Sequence, residues 1–145
     1  MEINSISNGI VIDHLQAGSG MKVLDYLDID TGLGSVALIM NVPSRKYDRK
    51  DIIKLENYEN VDVNVLGLID HNATVIYIQN CKIVKKIKLT LPEKVTNVLR
   101  CKNPRCITSQ EDTIPHVFHL SDSTGKYKCD YCDNIIKGHV ENLKK

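Results

Sequence analysis

The sequence contains no tryptophan and a single phenylalanine, and aromatic residues make up 5% of it. An aliphatic core is therefore expected, and the aromatic platforms on which single-stranded nucleic acids stack are scarce. No run approaches the roughly 20 apolar residues of a membrane-spanning helix. Neither sign of charge dominates: 19 Lys and Arg face 18 Asp and Glu, so bulk charge points to no polyanionic partner. The segment MEINSISNGI has neither the basic start nor the apolar run of a secretory signal, and a cytoplasmic chain is expected. Walker loops, G-x-S-x-G and H-E-x-x-H are missing too, which leaves no recognisable catalytic constellation. What remains is 145 residues of ordinary globular composition, 42% apolar and 26% charged, enough for one domain or two small ones.

Five cysteines in a reduced compartment suggest metal ligands before disulfides. Cys81 stands alone and, on a strand, is expected to be inert. Cys101 and Cys106 form C-x4-C, and Cys129 and Cys132 form C-x2-C after 22 intervening residues. Two such hooks complete a tetrahedral all-thiolate site, the usual structural zinc arrangement. Asn103-Pro104 and the aspartates Asp130 and Asp133 supply turn chemistry, and Lys102, Arg105, Lys128 and Lys137 can offset the negative site. Disulfides, buried free thiols and a rubredoxin-like iron are the alternatives. Four sulfurs close the shell, so the metal is read as structural and not catalytic. His116 and His119 are expected as partly exposed residues of a strand around Val117 and Phe118. A segment this short buries little core, and metal binding would supply the missing folding energy.

Upstream, apolar periodicity alternates between two and 3.6. Strands are expected at 9–14, 35–42, 49–55, 73–79 and 81–89, with the last two joined at Gln79-Asn80. Helices are expected at 21–27 and 61–70, and a turn at Thr31 to Gly34. The order β-α-β-β-α-β-β fits an α+β chain: a ferredoxin-like split βαβ sandwich with an added strand, followed by a small all-β zinc-binding module. Leu91-Pro92-Glu93 reads as the linker, giving domains at 1–93 and 94–145. Met21 and Met40 read as core filler.

Basic residues concentrate in Arg45, Lys46, Arg49, Lys50 and Lys54, and in Lys82, Lys85, Lys86 and Lys88. Strict alternation puts Lys50, Ile52 and Lys54 on one face of their strand, and Lys82, Val84, Lys86 and Lys88 on one face of theirs. Converging ammonium groups would suit a polyphosphate. Lysine is also a common guard of sheet edges, and on the residues alone that reading weighs more. Asp13-His14 could hydrogen-bond a base or sugar, or act as an acid/base dyad, but a plain polar pair at a strand end is favoured.

Four segments then make a resemblance. They are GIVIDH (9–14), VPSRKYDRKDIIKLEN (42–57), LPEKVTNVLRCKNPRCI (91–107) and KCDYC (128–132). In order and with few gaps, the chain resembles the regulatory chain of aspartate carbamoyltransferase. The resemblance implies a noncatalytic subunit of pyrimidine biosynthesis. Its first domain would bind CTP, UTP and ATP and pair with a second copy. Its second domain would hold one structural zinc and dock on the catalytic chain, so that three regulatory dimers bridge two catalytic trimers. It also implies a nucleotide pocket made of Ile6, Val11, Asp13, His14, Lys50, Ile52, Lys54, Ile78, Ile83 and Lys86. Ile76 and Cys81 stand where an asparagine and a tyrosine are familiar near the base, and Asn4 where an acidic residue is familiar. The rival reading from another class is a zinc-ribbon nucleic-acid binder, which near-zero net charge argues against.

Overall fold

The computed structural model describes residues 6–30, 32–45, 48–139 and 142–144. Asn4, Thr31 and Lys46, singled out above, lie outside these. The chain divides into two compact units, Met1–Thr90 and Leu91–Lys145.

The first unit runs β1 (Gly9–Gln16), α1 (Gly20–Tyr26), β2 (Val36–Pro43), β3 (Arg49–Glu56), α2 (Val63–Ile69), β4 (Thr74–Gln79) and β5 (Lys82–Lys88). Its sheet has the order β2-β3-β1-β4-β5, with every neighbouring pair antiparallel. This is the split βαβ arrangement with β5 added beside β4. Pro43 falls at the end of outer strand β2, where a missing N–H costs least.

Both helices pack on one face. Val23 of α1 and Leu66 of α2 join Ile10, Ile12, Ile53, Leu55 and Val75 of the sheet in one buried cluster. Each fully buried aliphatic side chain contributes about 1.5–3 kcal/mol. Asp62 caps α2 by accepting from the N–H groups of Asn64 and Val65, whereas Ser19 makes no side-chain cap on α1. The two methionines read as core filler are exposed, Met21 at 65% and Met40 at 41%. The cluster is already full of branched residues, and Met21 lies on the outer side of its helix.

Three bulges interrupt the ladder. Asp13 and His14 of β1 oppose Ile52, Met40 and Asn41 of β2 oppose Asp51, and Val84 of β5 is extra between Ile83 and Lys85. His14 and Asn41 both have positive φ. Strands β4 and β5 meet through the two residues Asn80 and Cys81, both with positive φ. The turn is thus one residue later than Gln79-Asn80, and Cys81 is in the turn and not on a strand. Two positive φ angles mark the type I′ geometry that suits the twist of a hairpin.

The second unit is a meander of β6 (Lys94–Thr96), β7 (Val117–Leu120), β8 (Lys126–Cys129) and β9 (Ile135–Lys137). A one-turn helix, α3 (Ile107–Gln110), follows Cys106, so the module is mostly but not wholly β. Its core departs from the aliphatic expectation: Phe118 and Tyr127 are its largest fully buried side chains, beside Leu99. The Tyr127 hydroxyl donates to the Pro92 carbonyl at 2.6 Å, and burial pushes the phenol up to about 12. The N–H of Leu120 donates to the Glu93 carbonyl. The Leu91-Pro92-Glu93 segment is therefore tied into this unit.

Candidate functional site

Two sites stand out, one in each unit. In the second, the sulfurs of Cys101, Cys106, Cys129 and Cys132 all lie within 4.8 Å of one another. The Sγ atoms of Cys101 and Cys132 are 3.6 Å apart, and those of Cys106 and Cys129 are 3.8 Å apart. A tetrahedral ion with metal–sulfur bonds of about 2.3 Å needs edges of about 3.8 Å. A disulfide would bring two sulfurs to about 2.05 Å. The donor set thus fits a tetrahedral metal ion, and the disulfide alternative fails.

Local turns aim the sulfurs. The Asn103 carbonyl accepts from the Cys106 N–H, and its side-chain oxygen accepts from the Arg105 N–H. In the second hook, Asp133, with positive φ, donates its N–H to the Cys129 carbonyl. Beyond the four sulfurs, the Thr108 hydroxyl lies 3.0 Å from Cys106 Sγ and the Cys101 N–H donates to His116 Nδ1 at 3.3 Å. Burial pushes the Cys101 thiol up to about 12. Burial acts to raise Cys106 as well, but the hydroxyl and N–H of Thr108 offset it and bring that thiol to about 7. His116 is buried, not partly exposed as expected. Burial first, then the cations Lys144 and Arg100, hold its ring below the usual histidine range, which suits a neutral acceptor. His119 is exposed and pairs with Asp130 at 2.6 Å. Lys128 reaches Asp133 at 3.8 Å. Sequence reasoning missed Thr108 and the role of His116. Thr108 was findable, two residues past a ligand, but the His116 contact depends on β7 folding back.

The other site is the sheet face of the first unit that the helices leave uncovered. Residues directly opposite in antiparallel strands share a face. One row across the sheet is Ala37, Lys54, Val11, Ile76 and Lys86. A flanking row holds Gly9, Ile78 and Ile83, with Glu56 at its far end. On the other side lie Ile39 with Ile52, and Asp13 with Thr74 and Lys88. Val11, Ile52, Lys54, Ile78, Ile83 and Lys86 thus come together on one face. Strict alternation had grouped Lys82 and Val84 with Lys86. The bulge at Val84 reverses the parity, so Lys82 leaves that face and Ile83 joins it.

Lys50 also faces this side, but its Nζ sits 2.9 Å from Asp13 Oδ1 with both groups largely buried. Burial of the Asp13 carboxyl tends to raise it, and Lys50 together with the His14 N–H overcomes this and holds it below the usual range. His14 Nδ1 is buried without a hydrogen-bond partner, 3.9 Å from the second Asp13 oxygen. Among the described residues no carboxylate pairs with Lys54, Lys86 or Lys88. Ile6 is buried over Gly9, where a Cβ would fall 2.1 Å from the Leu55 carbonyl and only glycine fits. A separate cleft of about 710 Å³, lined by Asn8, Tyr58, Tyr77 and neighbours, shares only Ile78 with the expected pocket residues.

A family model for the aspartate carbamoyltransferase regulatory chain, allosteric domain, matches residues 1–90, and one for its metal binding domain matches residues 93–141. The chain belongs to the aspartate carbamoyltransferase regulatory chain family. Regulatory chains of Clostridium botulinum (strain Hall) and Clostridium tetani are 53% and 54% identical over 139 residues. These alignments span 95% of both chains for the first relative, and 94% of this chain and 96% of the relative for the second. That of Bifidobacterium longum is 48% identical over 138 residues, covering 94% of this chain and 99% of the relative. The free lysine face falls in the matched allosteric segment and the cysteine cluster in the matched metal binding segment. Membership is of a regulatory, noncatalytic subunit, and it displaces the zinc-ribbon nucleic-acid reading. No described helix is long and apolar enough to cross a membrane.

Proposed function

We propose that this chain binds nucleoside triphosphates, CTP and UTP as well as ATP, on the free face of its first sheet and conveys their presence to the catalytic chain of aspartate carbamoyltransferase. The supporting observation is the row in which Lys54 and Lys86, both without a carboxylate partner, flank the apolar pair Val11 and Ile76. Ammonium groups suit phosphate, and the branched side chains offer a dry bed for ribose and base. Ile6, Ile52, Ile78 and Ile83 extend that bed. His14, with an orphaned buried nitrogen, offers a further polar contact at the Asp13 end. Lys50 reaches phosphate only by sharing or leaving Asp13.

The metal of the second unit is zinc in this proposal. A closed four-sulfur tetrahedron suits zinc's filled d shell and serves folding more than chemistry. One zinc per chain holds Cys101, Cys106, Cys129 and Cys132 and shapes the surface that docks on the catalytic chain. The first unit, Met1–Thr90, is the nucleotide-binding, dimerising domain and the second, Leu91–Lys145, the zinc domain, so the boundary falls before Leu91 and not after Glu93 as the sequence suggested. Pairing through first domains lets three regulatory dimers bridge two catalytic trimers in the cytoplasm. Nucleotide alters catalysis only through different affinity for two states of that assembly, with a coupling of about 1–3 kcal/mol.

Calorimetry on Lys54→Ala tests the proposal. Charge-assisted contacts of about 1.5–3 kcal/mol make the expected loss in CTP and ATP affinity roughly ten- to a hundredfold, with unfolding unchanged. Unchanged affinity would make Lys54 an ordinary surface side chain of an inner strand, since β3 is paired along both edges and needs no guard, and would remove the reading.

A further inference from the structure

Four sulfurs close the metal shell, but they are not equally sheltered. Resting on the zinc reading of this cluster, we propose that Cys132 is a peroxide-reactive thiolate whose oxidation joins it to Cys101 and opens the shell, a reversible redox switch.

The asymmetry begins with exposure. Cys101, Cys106 and Cys129 are buried, whereas Cys132 is half-buried. The three buried ligands are also held by the rest of the module. Cys101 gives its N–H to the buried ring of His116, and its sulfur accepts the N–H of Asn103. Cys106 Sγ has the buried Thr108 hydroxyl at 3.0 Å. Cys129 ends β8 opposite Phe118 and gives its N–H to the Asn134 carbonyl. Its sulfur accepts the N–H groups of Tyr131 and Cys132. Cys132 sits instead in the turn between β8 and β9, flanked by the exposed side chains of Tyr131 and Asp133. A thiolate reacts with a dissolved electrophile only where the reagent can reach the sulfur. Hydrogen peroxide is small and neutral, so the carboxylates of Asp130 and Asp133 on either side of this turn do not repel it.

The chemistry balances with hydrogen peroxide as the added oxidant. The Cys132 thiolate attacks one peroxide oxygen. An S–O bond forms, the O–O bond breaks, hydroxide leaves and the sulfur becomes a sulfenic acid. The Cys101 thiolate, its sulfur 3.6 Å from that of Cys132, then attacks the oxidised sulfur. An S–S bond forms, the S–O bond breaks and a second hydroxide leaves. Two thiolates together lose two electrons, and one peroxide gains them. Closing 3.6 Å to the roughly 2.05 Å of a disulfide takes about 1.5 Å of movement, which an exposed turn absorbs more readily than a strand. Cys106 and Cys129, with sulfurs 3.8 Å apart, then remain as two ligands where a tetrahedral site needs four, and they no longer retain the ion. A dithiol reductant breaks the link by exchange and restores both thiolates.

The test uses the full zinc-loaded chain, its metal verified by elemental analysis, titrated with hydrogen peroxide in the presence of dimedone, which traps sulfenic acids. Peptide mass spectrometry reads the trapped site and tells Cys81 of the first unit apart by its own peptide. Parallel samples without dimedone are digested unreduced to map disulfides, while a chromogenic chelator follows metal release. Cys132 should carry at least roughly fivefold more dimedone than any other ligand cysteine. The unreduced digest should yield the Cys101–Cys132 pair, formed in step with metal release, and dithiothreitol with added zinc should reverse both. Equal labelling of all four ligands overturns the proposal and means that the module opens as a whole. A first disulfide between Cys129 and Cys132 overturns it too, as does excess peroxide that leaves all four ligands unlabelled and the metal held. The zinc reading fails separately, at the elemental analysis: a different ion, or none, would remove zinc and leave the order of labelling to be decided by the same peptides.

Discussion

Asp51 has no exposure, yet no described cation pairs with its carboxylate. Its Oδ2 accepts from the N–H groups of Gly18 at 3.0 Å and Gly20 at 2.8 Å, and its Oδ1 from that of Asn41 at 2.9 Å. A Cβ on Gly20 would lie 2.7 Å from a Leu38 methyl and 2.9 Å from that same oxygen, so glycine is what lets the N–H approach. One side chain thereby holds the segment leaving β1 and the bulge of β2 against β3, on the helix-covered side of the sheet. Asp51→Asn would place a donor where an acceptor is required. It should lower the stability of the first unit by about 2–4 kcal/mol, read from urea unfolding. A loss near zero would mean that solvent or a turned amide satisfies these groups. In the sequence RKDIIKL, alternation sets Asp51 on the side of Ile53 and Leu55, but the N–H groups that satisfy it come from Gly18, Gly20 and Asn41 and are not visible locally.

The β4–β5 hairpin decides which lysines act together. Its turn puts Asn80 at φ 51° and Cys81 at φ 64°. Asparagine tolerates that region, but an ordinary L-residue there costs about 1–2 kcal/mol, part of which glycine gives back through a freer unfolded chain. Cys81→Gly should therefore raise stability by about 0.5–1 kcal/mol, measured as a higher Tm of the first unit. A lower Tm would show that the 3.6 Å contact between Cys81 Sγ and Ser7 Oγ matters more than backbone strain. Past the turn, the bulge at Val84 sets Ile83 beside Ile78 and Lys86 beside Ile76. Without it Ile83 and Lys86 would point to opposite sides of the sheet.

Across the whole molecule, two units carry two different sources of stability. The first has an extensive aliphatic cluster on two helices, while the second has one aromatic pair, few aliphatics and four converging sulfurs. Metal binding to such a module is folding free energy, because the unfolded chain holds no preformed site. Stripping the metal with a mercurial, or Cys129→Ser, should erase amide protection in residues 91–139 and leave β1, β3 and β4 protected. Assembly with the catalytic chain, followed by sedimentation, should be lost in the same samples. Retained protection in the second unit, with metal loss verified by elemental analysis, would show that Phe118 and Tyr127 suffice.

Element order, the two helices, most strand bounds and the two cysteine hooks were legible in the sequence because each is local. Periodicity reports on a single segment, and C-x4-C and C-x2-C bring sulfurs together through their own turns. The resemblance to regulatory chains added Ile83 to the pocket when alternation alone would have excluded it. Tertiary structure decided the rest. Where a bulge falls depends on the partner strand, so the parity of β5, the withdrawal of Lys82 and the pairing of Lys50 with Asp13 were invisible along the chain. The exposure of Met21 and Met40, the burial of His116 and the aromatic core of the second unit have the same cause. Burial is settled by which surfaces meet, and those surfaces come from segments far apart in sequence.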